Sequence, residues 1–141
     1  MHNTLQVLLV QHDDAGRNQL SSLLRYKKVD VTAFSTAMQA LHFYERTEVH
    51  LLLIVDHLYD MPAAEVISLI KNGDKVILGA IYLTSESDSE VEKMAEDAGV
   101  DLILSHNSAK PNYNALFKEI EKFKIILSKL HKSIGAKKKK K

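Results

Sequence analysis

Leu51-Leu52-Leu53-Ile54-Val55-Asp56 is an unbroken apolar run that ends in a single carboxylate. A half-exposed strand would alternate apolar with polar residues. Five apolar residues in succession fit instead a strand buried on both faces of a parallel sheet. In open α/β folds the ligand site lies outside the carboxyl ends of the strands, which is where Asp56 would stand.

On the N-terminal side of this run, Leu5 to Val10 reads as a first strand, ending in Gln11-His12-Asp13-Asp14. Arg17, Leu20, Leu23 and Leu24 follow at helical spacing. Val29, Val31 and Ala33 alternate with polar residues as in a strand near a sheet edge. Ser35 is placed to cap a helix carrying Ala37, Ala40, Leu41 and Tyr44.

On the C-terminal side, Pro62 opens a helix with Val66, Ile67 and Ile70 on its buried side, and Asn72-Gly73 ends it. Val76 to Leu83 reads as a fourth strand ending at Thr84, with Ser85 and Ser87 as candidate caps before the helix of Val91, Met94, Ala95 and Ala98. Gly99 stops that helix. Leu102 to Leu104 reads as a fifth strand, and after a polar loop Tyr113, Leu116, Phe117, Ile120, Phe123, Leu127, Leu130 and Ile134 mark the stripe of a long last helix. Strand and helix alternate five times, so right-handed crossovers and a parallel sheet covered on both faces are expected.

The 141 residues suit one domain, residues 1–134, followed by a disordered Lys-rich tail, 135–141, with Gly135-Ala136 ending the helix. Hydrophobic residues make up 45% and charged residues 26%, as in a globular protein. There is no cysteine, hence no disulfide or thiolate metal site. No apolar run is long enough to span a bilayer and no signal pattern opens the chain, so a cytoplasmic protein is expected. The net charge of +1 hides an asymmetry: without Lys137 to Lys141 the 18 acidic residues outnumber the basic ones. The tail reads as a solvated end in preference to an anionic-surface or nucleic-acid contact.

Several local patterns, in this order and spacing, resemble response-regulator receiver domains over about residues 5 to 125. They are Val7-Leu8-Leu9-Val10 with an acidic cluster and Arg17-x-x-Leu20-x-x-Leu23-Leu24, the Leu51–Asp56 strand, Leu83-Thr84-Ser85, and Ala98-Gly99-Val100-Asp101. The resemblance implies a flavodoxin-like α/β fold with strand order 2-1-3-4-5. It also implies that Asp56 is the phosphoacceptor, that Thr84 and the residue ending the fifth strand contact the phosphoryl group, and that Mg²⁺ is held nearby.

The departures bear on function. Gln11 and His12 stand where the family keeps its acidic pair, which weakens the Mg²⁺ site. Asp13 falls one residue late and would have to reach Asp56 from the loop. His106 stands where the family keeps a lysine, with Lys110 of Lys110-Pro111 as the alternative after an insertion. The apolar positions of the last helix favour His106. Asp60 and Ala63-Ala64 replace the family's Pro and Asp-Gly, and Ile103 replaces its aromatic switch residue.

His12 and His106 are expected near Asp56, where a protonated imidazole would supply charge near neutral pH, or, with Asp56, ligate zinc. His57 should face away. Two functions remain open: a phosphorylatable receiver served by a sensor histidine kinase, or a pseudo-receiver adaptor that binds a downstream signalling protein without phosphorylation. The apolar extension of the last helix suggests a homodimer contact or protein docking. No DNA-binding module, phosphate loop or nucleophile elbow is present, so an enzyme is not expected.

Overall fold

Leu51 to Val55 form β3, the central strand, and none of the five is exposed. The computed structural model describes residues 4–85, 89–107 and 109–139, the side chains of 133–139 excepted. The elements alternate in chain order. They are β1 (Gln6–Gln11), α1 (Asp14–Tyr26), β2 (Asp30–Phe34), α2 (Ala37–Arg46), β3 (Leu51–Val55), α3 (Ala63–Lys71), β4 (Gly79–Thr84), α4 (Ser89–Ala98), β5 (Leu102–Ser105) and α5 (Asn114–Lys139). The sheet is parallel throughout, in the order β2-β1-β3-β4-β5. This is the doubly wound, flavodoxin-like architecture expected from the alternation.

β3 needs apolar side chains at every position because its two faces meet two different helical layers. Leu51, Leu53 and Val55 pack with Leu9 and Ile81 against Leu20 and Leu24 of α1 and Leu116 and Ile120 of α5. Leu52 and Ile54 face Ala40 and Tyr44 of α2 and Val66, Ile67 and Ile70 of α3. The register sets Leu53 between Leu9 of β1 and Ile81 of β4, at the middle of the sheet. Each such side chain contributes about 1.5–3 kcal/mol relative to leaving it in water.

The sequence expectations are corrected at four points. β4 begins at Gly79: the ladder with β3 starts at Leu51–Gly79, and Val76, 95% exposed, has no strand beside it. Thr36, not Ser35, caps α2, its hydroxyl accepting from the Gln39 N–H at 3.3 Å. Helix α5 does not stop at Gly135-Ala136 but runs to Lys139. A helical Gly costs only about 1 kcal/mol relative to Ala, and the flanking Ala and Lys favour helix. The expected disordered tail therefore loses 135–139, and Lys140 and Lys141 lie outside the described residues. Leu127, expected to lack cover, is buried in the α1–α5 layer, whereas Leu130 is 43% exposed. The Ser87 cap lies outside the described residues.

Truncating Leu53 to Ala should leave a cavity in the layer between the sheet and α1 and α5 and cost about 2–5 kcal/mol. Val76→Ala, at an exposed position, should stay within about 0.5 kcal/mol. Urea unfolding of the two variants measures both; equal midpoints would contradict the placement of β3.

Candidate functional site

The site is built from residues at the carboxyl ends of the strands. Asp56 follows Val55 of β3, and its N–H still bonds Leu83 O at 2.8 Å, one step beyond the ladder. There the backbone turns sharply, at φ +58°, a left-handed conformation that Asp tolerates better than most residues. The turn lifts the carboxylate to the rim of the sheet, where its side chain keeps 31% exposure.

The neighbouring strands deliver its partners in the same way. Ser85 is the first residue past β4, and both its N–H (2.7 Å) and its hydroxyl (2.8 Å) donate to Asp56 Oδ1. His106 is the first residue past β5, held by its N–H to Thr84 O at 3.0 Å. Its Nε2 lies 3.0 Å from Asp56 Oδ2, on a side chain only 2% exposed. The ring stacks beside Tyr113, with centroids 6.4 Å apart, and its Nδ1 is buried without a hydrogen-bond partner among the described residues.

These contacts set the charge on Asp56. Burial pushes its carboxyl up, but the Ser85 N–H, the His106 ring and the Ser85 hydroxyl, together with the charge His106 can carry, outweigh it. The net effect holds the group below 3.8. Tyr113 responds in the opposite sense: burial first, then the charges of Asp56 and Asp13, push its phenol above 10.0.

A cavity of about 200 Å³ opens beside the carboxylate, lined among others by Gln11, Asp13, Gly16, Asp56, His106 and Tyr113. Gln11 ends β1 and is buried, and its Oε1 has no hydrogen-bond partner among the described residues. Its amide lies over Gly16, where a Cβ would come within 2.5 Å of Nε2. Asp13 caps α1, with Oδ2 accepting from Gly16 N–H at 2.7 Å. Arg17 pins this turn by donating to Gln11 O at 2.9 Å and pairing with Asp14.

Among the residues singled out from the sequence, Asp56, His106 and Asp13 share this cavity. Thr84 is buried one residue before Ser85, and the hydroxyl seen on Asp56 is that of Ser85. Lys110 is exposed and absent from the lining, and it is His106 that meets Asp56. His12 corrects an expectation: it is exposed, with its ring edge-on to Tyr59 at 3.9 Å. Successive residues leaving a strand point to opposite sides, and Gln11 takes the pocket side. The zinc reading loses a ligand with it, and among the described residues no three His, Asp or Glu group to hold a metal. His57 lines a separate cleft with Tyr82 and Met94, away from Asp56 as expected.

Sequence reasoning missed two contributors. The sequence alone suits Ser85 to a helix cap, and its signal for the site is a hydroxyl directly after a central strand. Asp60 was read only as a departure, yet it caps α2 from the β3–α3 loop, accepting from Ala37 N–H (3.0 Å) and Met38 N–H (2.9 Å). Burial raises the Asp60 carboxyl slightly, and these N–H donors outweigh it and hold it below 3.8.

No protein-family model matches the sequence, and no curated protein matches it significantly. Solved structures do match. A CheY-like response regulator receiver domain protein from Methanospirillum hungatei is 21% identical with a TM-score of 0.78, over 89% of this chain and 98% of that one. The response regulator TrrA from Thermotoga maritima, in complex with Mg²⁺ and beryllium fluoride, is 18% identical with a TM-score of 0.74, over 85% and 99%. The receiver domain of a Saccharomyces cerevisiae response regulator, crystallised with its histidine phosphotransfer protein, is 18% identical with a TM-score of 0.74, over 89% and 92%. The chain has the fold of response-regulator receiver domains.

Both Asp56 and Asp60 have carboxyls depressed in the folded state. Their contribution to stability is therefore complete above the unfolded value near 3.8 and is lost as pH falls through the folded values. Asp60→Ala should cost about 0.5–1 kcal/mol at neutral pH, at the low end for a cap because the group is exposed. It should also flatten the acid limb of stability against pH. Thermal melts of both proteins from pH 7 to pH 2.5 measure it; parallel curves would remove Asp60 from the cap.

Proposed function

We propose that this chain is a receiver-type signalling domain of a two-component phosphorelay, with Asp56 accepting a phosphoryl group from a phosphohistidine on a kinase or phosphotransfer partner. One observation carries the reading: a carboxylate held ionised at the rim of a central strand, part-exposed, beside a small cavity that Gln11, Asp13 and His106 also line. In the step, a carboxylate oxygen attacks phosphorus, the P–O bond forms, the P–N bond of the phosphohistidine breaks, and the leaving imidazole takes up a proton. The Ser85 N–H and hydroxyl, already on Oδ1, are placed to donate to the transferred group's oxygens. His106 supplies a donor on the other side. The domain acts as a stoichiometric switch and not as an enzyme with its own substrate.

The residues present fit a small hard cation, though with fewer carboxylates than the resemblance implies. The Asp13 and Asp56 carboxylates line the same cavity as the unpartnered, buried Gln11 Oε1, and all three are oxygen donors. Asp13, Asp56 and Gln11 would hold Mg²⁺, which would supply positive charge against the phosphoryl oxygens. Gln11 in place of an acid and the Asp13 cap to Gly16 make that binding weak.

A second reading is favoured by a specific contact. Both oxygens of Asp56 already have donors, from Ser85 and His106, so the pocket is complete without a phosphoryl group. A phosphorylation-independent adaptor would use this arrangement as a fixed structural element.

Incubation with Mg²⁺ and acetyl phosphate separates the two. The receiver reading expects an added phosphoryl mass on the intact protein, lost in Asp56→Asn and reduced in Ser85→Ala. Absence of the adduct from the folded wild-type protein would sink phosphoacceptance and leave the adaptor.

A further inference from the structure

The chain separates its charges along its length. All 18 acidic residues lie at or before Glu121, while the stretch after it holds nine lysines and no acid. Most of that stretch is the C-terminal half of α5, helical to Lys139. The nearest carboxylates are already engaged, Glu119 by Lys122 at 3.0 Å and Glu121 by Lys124 at 3.2 Å. Beyond them Lys129 and Lys132 are both exposed, and the sequence places no acid on the turns that follow.

The same half-helix exposes apolar side chains. Ile125 is 54% exposed, and Ile126 and Leu130, one turn apart, are each 43% exposed. Among the described residues of this stretch Leu127 is buried in the core and Phe123 packs partly against it, so the stretch is anchored on one side and open on the other. The end of α1 adds to the surface: Lys124 Nζ donates to Lys27 O at 2.9 Å, which brings Tyr26, 82% exposed, and Lys28 alongside.

We infer that the C-terminal half of α5 docks on an anionic phospholipid surface, independently of the Asp56 site. Charge complementarity selects the occupant. A second copy of the same helix would set lysine against lysine, which opposes the homodimer expected from the apolar extension. A nucleic-acid backbone would satisfy the lysines but leave Ile126 and Leu130 idle. A bilayer surface takes both: lysines meet anionic headgroups, and isoleucine and leucine enter the headgroup–acyl boundary. No helix is long and apolar enough to cross a membrane, so the contact is peripheral.

The test uses the full chain, sedimented with phosphatidylcholine vesicles or with phosphatidylcholine–phosphatidylserine vesicles. The protein should pellet with the second and not the first, and the bound fraction should fall as salt rises. Lys129→Glu with Lys132→Glu should weaken binding about tenfold or more. Ile126→Ser with Leu130→Ser should weaken it as well. All four positions are exposed, and unchanged far-ultraviolet circular dichroism will show that the fold is kept. Failure to pellet with the anionic vesicles, or equal pelleting with both kinds, overturns the proposal. So does an Ile126→Ser/Leu130→Ser variant that binds like wild type, or tighter binding to duplex DNA than to vesicles at the same salt.

Discussion

Everything at the rim follows from the parallel ladder running one residue past the strands. The Asp56 N–H bonds β4 at Leu83 O, and the His106 N–H bonds β4 at Thr84 O. These two bonds fix the residues that leave β3 and β5 relative to each other, so their side chains meet 3.0 Å apart although 50 positions separate them. The contact is thus set by the sheet, and the sheet is set by β3. A strand that buries all five side chains on two faces cannot slip by one residue without exchanging its layers.

That dependence explains how much of the molecule was legible in the sequence. The Leu51–Val55 run has one physical solution, a central parallel strand, and the alternating elements around it then allow few topologies. Helical spacing located Leu20, Leu24, Val66, Ile67 and Ile70 on buried faces because 3.6-residue periodicity is a direct image of one-sided burial. The errors lie where local signals compete with neighbours in space. Val76 to Leu78 looks like the start of a strand, but the ladder with β3 begins only at Leu51–Gly79, with the Leu78 N–H bonding His50 O just ahead of it. Gly135 looks like a stop, but its cost of about 1 kcal/mol is small against continuing lysine and alanine.

The site was legible by position and not by contact. Asp56 and His106 could be placed because strand ends are countable. Ser85 could not be told from a cap, since the same hydroxyl suits either role until the rotation of the chain past β4 is known. His12 failed for a related reason. Counting placed it beside Gln11, but only alternation at the end of β1 decides which of the two faces Asp56, and the buried amide won over the exposed ring. Asp60 was invisible because its partners, the N–H groups of Ala37 and Met38, lie more than twenty residues earlier.

The family resemblance implies a lysine where His106 stands, and an imidazole at that place changes the physics of the rim. An ammonium group on a flexible stem carries a fixed charge and can follow a ligand that enters. An imidazole packed beside Tyr113 with a 2% exposed side chain cannot travel; it offers one directed donor at one place. Ser85 contributes two more directed donors from the opposite side. The carboxylate is therefore held by geometry more than by net charge, and the nearby Gln11 adds an amide oxygen to the same cavity. A rim built this way resists rearrangement, so on the receiver reading proposed above the incoming group has to displace the His106 bond, and a phosphoryl group, with several acceptor oxygens and about two negative charges, is of that kind.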